Sequence, residues 1–263
     1  MYWYFDSDIS DIDMCISAKD NCLWGLLLNS VGKKAKAIKV VESMKKIDLV
    51  KDDNLVYWYV KTKGIGGNMI INAECNALWG MLLNAVGYRD RAIQVIELME
   101  EIGLVRPDGL VSSNVETNGS DGDMNVYSYS NALWGLLLNA VGYRDKANQV
   151  VESMNYLRSL VRDDELVFHS EIRYSSDKEN KIFSEDNALW VLLLNSLGYK
   201  NKAKQVIKSM KKLTNLVRSD NLVSDFVKLD GSNNIKYVKS SNNALWGLCL
   251  HPEGYKVFTG ELS

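Results

Sequence analysis

Apolar positions follow two periods along this chain, and the two alternate in a fixed order. From Asn131 to Val141 the run Ala132, Leu133, Trp134, Leu136, Leu137 and Leu138 leaves almost no polar side, which predicts a helix buried nearly all round. Further on, Ala147, Val150, Val151, Met154 and Leu157 recur at steps of three and four between Lys, Asn, Gln, Glu and Ser. That spacing predicts a second helix with one wet face. Gly142 between them supplies a left-handed helix stop, with equivalents at Gly32, Gly87, Gly198 and Gly254. Asp145 suits the cap of the second helix. The pair is therefore an inner helix followed by an outer one.

A third element precedes each pair. Leu160–Val167 has counterparts at Leu49–Val56, Leu104–Val111 and Leu216–Val223, each with an Asp three residues before the last Val. Those aspartates, Asp53, Asp108, Asp164 and Asp220, suit a turn. A β-branched and aromatic run follows, such as Leu55–Val60, then a polar turn at Lys63–Gly67, then Met69–Ile71. This is the signature of a β-hairpin. One unit thus reads hairpin, inner helix, outer helix, and its cores begin at Asn21, Asn76, Asn131, Asn187 and Asn243, at intervals of 55, 55, 56 and 56 residues. The expected organisation is one repeat domain over residues 1–263, mainly α with β-hairpins.

The first and last copies differ from the rest. Trp3 precedes Asn21 by 18 residues, as Trp58 precedes Asn76. After the inner helix at Asn243, Pro252 stands where other copies carry Ala or Ser, so only four outer helices are clear. An inner helix without its outer partner would seek another cover, which predicts self-association through the repeat edges, with a dimer as the first expectation.

Composition narrows the function classes. Net charge is -2 and the pI is near 5.8, which gives no electrostatic reason to expect nucleic acid or an anionic membrane. Cys15, Cys22, Cys75 and Cys249 have no CxxC spacing and read as reduced core residues. The start, Met1-Tyr2-Trp3-Tyr4-Phe5-Asp6, lacks the basic and apolar regions of a signal peptide, and no apolar run approaches the ~20 residues of a membrane span. A cytoplasmic protein without membrane, metal or cofactor is expected.

The stretch Tyr127-Ser128-Tyr129-Ser130-Asn131-Ala132-Leu133-Trp134 through Gly142-Tyr143-Arg144-Asp145-Lys146-Ala147, with Asp108-Gly109-Leu110-Val111 before it, resembles the repeat of the alpha/alpha toroids, the six-hairpin glycosidases and related glycan-processing proteins. The resemblance covers almost the whole chain. It implies a toroid or open arc of about five repeats, with inner helices lining a cavity and hairpins at its mouth. It also places Asp20, Asn21, Cys75, Asn76, Ser130, Asn131, Asp186, Asn187, Asn242 and Asn243 at that mouth. Five repeats depart from the usual six, and only Asp20 and Asp186 are acidic just before the repeated Asn.

Each candidate has a structural and a functional reading. Asn21, Asn76, Asn131 and Asn187 cap or begin their helices, or else form a ring of amides facing a sugar. Asn29, Asn84, Asn139, Asn195 and His251 suit caps or bonds between repeats. Recurrent Gly25, Gly80, Gly135 and Gly247, replaced by Val191 in the fourth copy, imply close helix approach. Trp58 and Tyr57, Tyr127 and Tyr129, with Tyr2, Trp3, Tyr4 and Tyr59, either pack strand faces or stack on sugar rings. Asp20 and Asp186 either cap helices or provide the two carboxylates that glycoside hydrolysis requires. The acidic groups Asp6, Asp8, Asp11 and Asp13, and Asp121 and Asp123, read as solvated turns. His169 and His251 read as isolated. The leading expectation is a carbohydrate-binding or glycan-processing protein; the alternatives are a helical-repeat scaffold for a protein partner and an inactive, truncated family member.

Overall fold

A computed structural model of the chain describes residues 2–3, 15–61, 70–116, 125–157, 160–170, 181–229, 237–251 and 253–260. Tyr4 and the two acidic groups lie outside them, and Tyr2 and Trp3 are described in their backbone alone. The described residues form two compact units, one of residues 1–105, 112–124 and 257–263 and the other of residues 106–111 and 125–256.

The first unit contains β1 (Tyr2–Trp3), β2 (Cys15–Ser17), α1 (Ala18–Ser30), α2 (Lys34–Lys46), β3 (Tyr59–Lys61), β4 (Ile70–Asn72), α3 (Ala73–Ala85), α4 (Arg89–Glu101) and β5 (Asn114–Glu116). The second contains α5 (Ser128–Ala140), α6 (Arg144–Tyr156), β6 (Lys181–Phe183), α7 (Ser184–Ser196), α8 (Lys200–Lys212), β7 (Phe226–Lys228) and α9 (Ser240–Leu250). A short α10 (Lys256–Thr259) follows. The inner helices are α1, α3, α5, α7 and α9, and the outer ones are α2, α4, α6 and α8. In the second, third and fourth pairs the division by hydrophobic pattern is reproduced in burial, whereas α1 leaves Trp24 and Leu27 exposed. Residues Ala132 to Leu138 of α5 are all buried, whereas α6 buries only Ala147, Val150, Val151 and Met154. Neighbouring inner helices pack on one another, α1 on α3 and α5 on α7 on α9.

Each inner helix starts three residues before the repeated Asn. What holds the start is not local. The N–H groups of Ala18, Ala73, Ser128 and Ser184 donate to the carbonyls of Trp58, Ser113, His169 and Asp225, residues of the next repeat's lead-in segment. Two helices add a side-chain cap, from Ser17 to Asp20 N–H and from Asn72 to Cys75 N–H. Asp145 lies in the first turn of α6, not at its cap, where its charge complements the helix dipole.

The strand pairing extends the expected hairpins. β1 and β2 pair antiparallel within one repeat, and Tyr57 bridges Ile71 within the next. The entry strands also reach across repeats, β2 with β3, β4 with β5, and β6 with β7. Gly142 has φ of 91° and closes α5, its N–H donating to Asn139 O. Gly254 does not adopt this role, because α9 ends at Leu250 in extended backbone at His251.

Candidate functional site

The repeated Asn is a clamp between segments. In α5, Asn131 Oδ1 accepts from Val111 N–H at 2.8 Å, and its Nδ2 donates to Val111 O at 3.1 Å and to Tyr127 O at 2.9 Å. Asn76 makes the same three bonds to Val56 and Asn72, and Asn187 to Val167 and Phe183. All three amides are fully buried and engage the backbone of the turn 20 residues earlier. The ring of amides expected to face a ligand therefore faces protein. Asn21 is half-buried and bonds Ser17 O alone among the described residues.

Chemistry gathers instead at two positions where the copies differ. One is the residue just before the repeated Asn, and the other lies 17 residues before that, occupied by Trp3, Trp58, Ser113, His169 and Asp225. In the second unit, His169 Nδ1 lies 2.9 Å from Asp186 Oδ2. The Asp186 side chain is 2% exposed and that of His169 is 25% exposed, so the carboxylate is sealed while part of the imidazole remains at the surface. With Asp186 ionised, Nδ1 carries the proton and donates it to Oδ2. The lone pair then resides on the other ring nitrogen, Nε2. Backbone fixes the imidazole further, because His169 O receives Ser128 N–H at 2.9 Å.

Aromatic rings surround this dyad. Tyr129 stacks on His169 with ring centres 5.6 Å apart and 23° between planes, and Tyr127 and Phe183 lie 4.9 Å and 4.7 Å from it. Tyr127 and Tyr129 contact each other at 5.5 Å, and Phe183 continues to Phe226 at 5.2 Å. Two sequence-predicted tyrosines and one predicted aspartate thus converge on a histidine that appears isolated in the sequence.

The equivalent positions in the following repeat form a second polar group. Asn242 Nδ2 donates to Asp225 Oδ1 at 2.9 Å and to Ser184 Oγ at 3.0 Å, while Lys239 pairs with Asp225 Oδ2 at 2.9 Å. The Asp225 carboxylate is therefore engaged on both oxygens.

The other predicted residues belong to the first unit. Asp20 is half-buried in the first turn of α1, where Ser17 Oγ accepts its N–H at 3.3 Å. Trp58 is 45% exposed and meets Tyr59 edge-on at 5.6 Å, while Tyr57 is partly covered beside the Ile71 bridge. Lys19 and Glu74 form an ion pair of 2.6 Å. Beneath lie Cys22 and Cys75, where burial pushes both thiols well above their ordinary range and neighbouring negative charge adds to the shift. All four cysteines are free thiols. Asp20 and Asp186 fall in different units.

The repeat register was the signal that could have found the dyad. His169 precedes Asn187 by 18 residues, as Trp58 precedes Asn76, which places it beside the variable residue at Asp186.

No protein-family model and no curated protein sequence matches the chain. Its fold matches solved structures. A D-mannose isomerase superposes with a TM-score of 0.74 at 12% identity, covering 100% of this chain and 78% of the other. An endoglucanase of glycosyl hydrolase family 8 from Klebsiella pneumoniae gives 0.65 at 9% identity, over 95% of this chain and 90% of the other. A cellobiose 2-epimerase from Bacillus thermoamylovorans gives 0.62 at 11%, over 84% and 66%. These glycan-processing enzymes are alpha/alpha toroids, and this chain has the same fold. No helix among the described residues is long and apolar enough to cross a membrane.

Proposed function

We propose that the chain is a glycan-processing protein whose acid–base group is His169, held by Asp186, and that it acts on a sugar carbonyl by proton transfer. The observation that carries this reading is the 2.9 Å contact between an accessible imidazole and a buried carboxylate, set among Tyr127, Tyr129 and Phe183. Aromatic faces suit the apolar faces of sugars, and a fixed imidazole suits proton transfer at neutral pH.

Hydrolysis fits less well. It requires one carboxyl group as acid and another as base or nucleophile. Within the second unit, Asp186 is bonded to His169, and Asp225 is engaged by Lys239 and Asn242. An isomerisation needs only one base. His169 Nε2 would take the proton from C2 of an open-chain aldose, the C2–H electron pair would form the enediol, and the imidazolium would return the proton to C1. The O2 hydroxyl proton passes to O1 in the same exchange, so the atoms balance without a cofactor. Asp186 remains ionised and stabilises the imidazolium. One of the similar structures bears a name of this reaction type, D-mannose isomerase, and another, cellobiose 2-epimerase, the name of a reaction at the same C2 carbon.

The test is turnover of a panel of aldoses, ketoses and disaccharides by the wild type, His169→Gln and Asp186→Asn. We expect each substitution to lower kcat by about 10²–10⁴ with the fold retained by circular dichroism. Wild-type protein that neither binds nor converts any sugar would refute the proposal.

A further inference from the structure

The strand pair that leads into α7 carries charge beside the rings of the His169 site. In it Lys181 stands opposite Lys228, Ile182 opposite Val227 and Phe183 opposite Phe226. Residues directly opposite share one face of an antiparallel pair, and successive residues alternate between faces. Ile182 and Val227 take the buried face. The other face, made of Lys181, Phe183, Phe226 and Lys228, is partly exposed at all four positions. Phe183 joins that face to the site, because its ring lies 4.7 Å from His169 and 5.2 Å from Phe226. Lys181 Nζ lies 4.9 Å from the centre of the Phe226 ring. A chain of contacts therefore runs from the imidazole over two aromatic rings to an ammonium group.

Two like charges directly opposite one another destabilise a strand pair. Among the described residues, no carboxylate pairs with Lys181 or Lys228 to offset that repulsion. Lys239, at the start of α9, differs in being neutralised by Asp225 at 2.9 Å. Nor does the repeat itself demand the lysines. At the same register the other entry strands set Cys15 opposite Lys61 and Ile70 opposite Glu116. The opposed lysines thus belong to the one strand pair that adjoins the His169–Asp186 dyad.

We infer that Lys181 and Lys228 form an anion subsite beside the dyad, and that the glycan bound there carries a carboxylate or phosphate on the sugar next to the one at His169. For the event at the carbonyl this rests on the proton-transfer reading of His169; for the charge it rests on the strand pair alone. Side chains that start about 5 Å apart can converge on one anion, whose charge removes their repulsion. Phe183 and Phe226 stand between the imidazole and Lys181, so the sugar at the dyad meets Phe183 and its neighbour meets Phe226. Partial exposure keeps the contribution of each lysine modest and sensitive to salt.

The test is calorimetric titration of the full chain with cellobiose and with its 6′-carboxylate and 6′-phosphate forms, in low and in high salt. At least one acidic form should bind about tenfold more tightly than cellobiose in low salt, and the form preferred tells carboxylate from phosphate. Lys181→Gln and Lys228→Gln should each cut that preference about threefold and together bring it close to one. Lys208→Gln, at an exposed position of α8, should leave it intact. Lys228→Gln should also raise the melting temperature by up to about 3 °C, as the like-charge contact is relieved. No saturable binding, no preference in the wild type, a preference kept in the double variant, or a melting temperature that falls in Lys228→Gln overturns the subsite. The proton-transfer reading fails separately. A charge preference lost in the double variant, with no turnover of any form, refutes that reading and supports the subsite, whereas turnover of cellobiose without any preference does the reverse.

Discussion

Replacing Asn131 by Ala tests whether the repeated Asn is a structural clamp. The substitution removes the acceptor for Val111 N–H and the donor to Val111 O, both in a residue with no solvent exposure. Tyr127 O keeps the Asn131 backbone N–H, so it is not orphaned. Two buried backbone groups lose their partners at about 1–3 kcal/mol each, a loss of roughly 2–6 kcal/mol. That is a large share of the ~5–15 kcal/mol that holds a typical protein folded. Asn21→Ala is the internal control, since among the described residues it loses one bond, to Ser17 O, at a half-buried site and should cost about 0.5–1.5 kcal/mol. Urea unfolding followed by tryptophan fluorescence separates the two. With a slope of about 1–3 kcal/mol per molar urea, Asn131→Ala should lower the midpoint by roughly 1 M or more. Equal losses in the two variants would refute the clamp.

Further predictions concern helix packing and the buried thiols. A Cβ on Gly135 would lie 2.8 Å from Leu193 side-chain atoms, whereas one on Gly247 meets nothing within 4 Å. Gly247→Ala should therefore stabilise by up to about 1 kcal/mol in thermal unfolding, and Gly135→Ala should not. In the fourth copy Val191 takes the glycine's place, and the residue in the register of Leu193 is Cys249, which is smaller. Cys249→Leu alone should cost about 1–3 kcal/mol by overpacking, and adding Val191→Gly should recover most of it. Burial pushes the thiols of Cys22, Cys75 and Cys249 well above their ordinary range. Their folded forms keep protons that the unfolded chain sheds, so stability is complete below about pH 8.5 and falls above it by about 1.4 kcal/mol per pH unit for each thiol. Urea midpoints at pH 8, 9 and 10 should show this slope, and Cys75→Ala should reduce it.

The repeat and the division into inner and outer helices were legible because they rest on local hydrophobic pattern. Leu136, Leu137 and Leu138 on consecutive faces demand burial on all sides, and the one-sided stripe of α6 does not. What failed to show was whatever depends on a distant partner. Asn131 looks like a helix start because Asn favours caps, yet its partner Val111 lies 20 residues back and α5 begins at Ser128. His169 stands in a segment without periodicity, so its chemistry appears only when the repeats are placed in register beside Asp186. Tyr127 and Tyr129 were visible as aromatic candidates, but no local rule pointed them at the imidazole.

The central claim, that His169 moves a proton at a sugar carbonyl, is tested most directly by incubating the protein with D-mannose, D-fructose and cellobiose in heavy water and following the carbon beside the carbonyl by proton NMR. The account predicts enzyme-dependent deuterium incorporation at that carbon for at least one sugar, abolished by His169→Gln and strongly reduced by Asp186→Asn. Incorporation that persists undiminished in His169→Gln, or none with the wild-type protein, would contradict it.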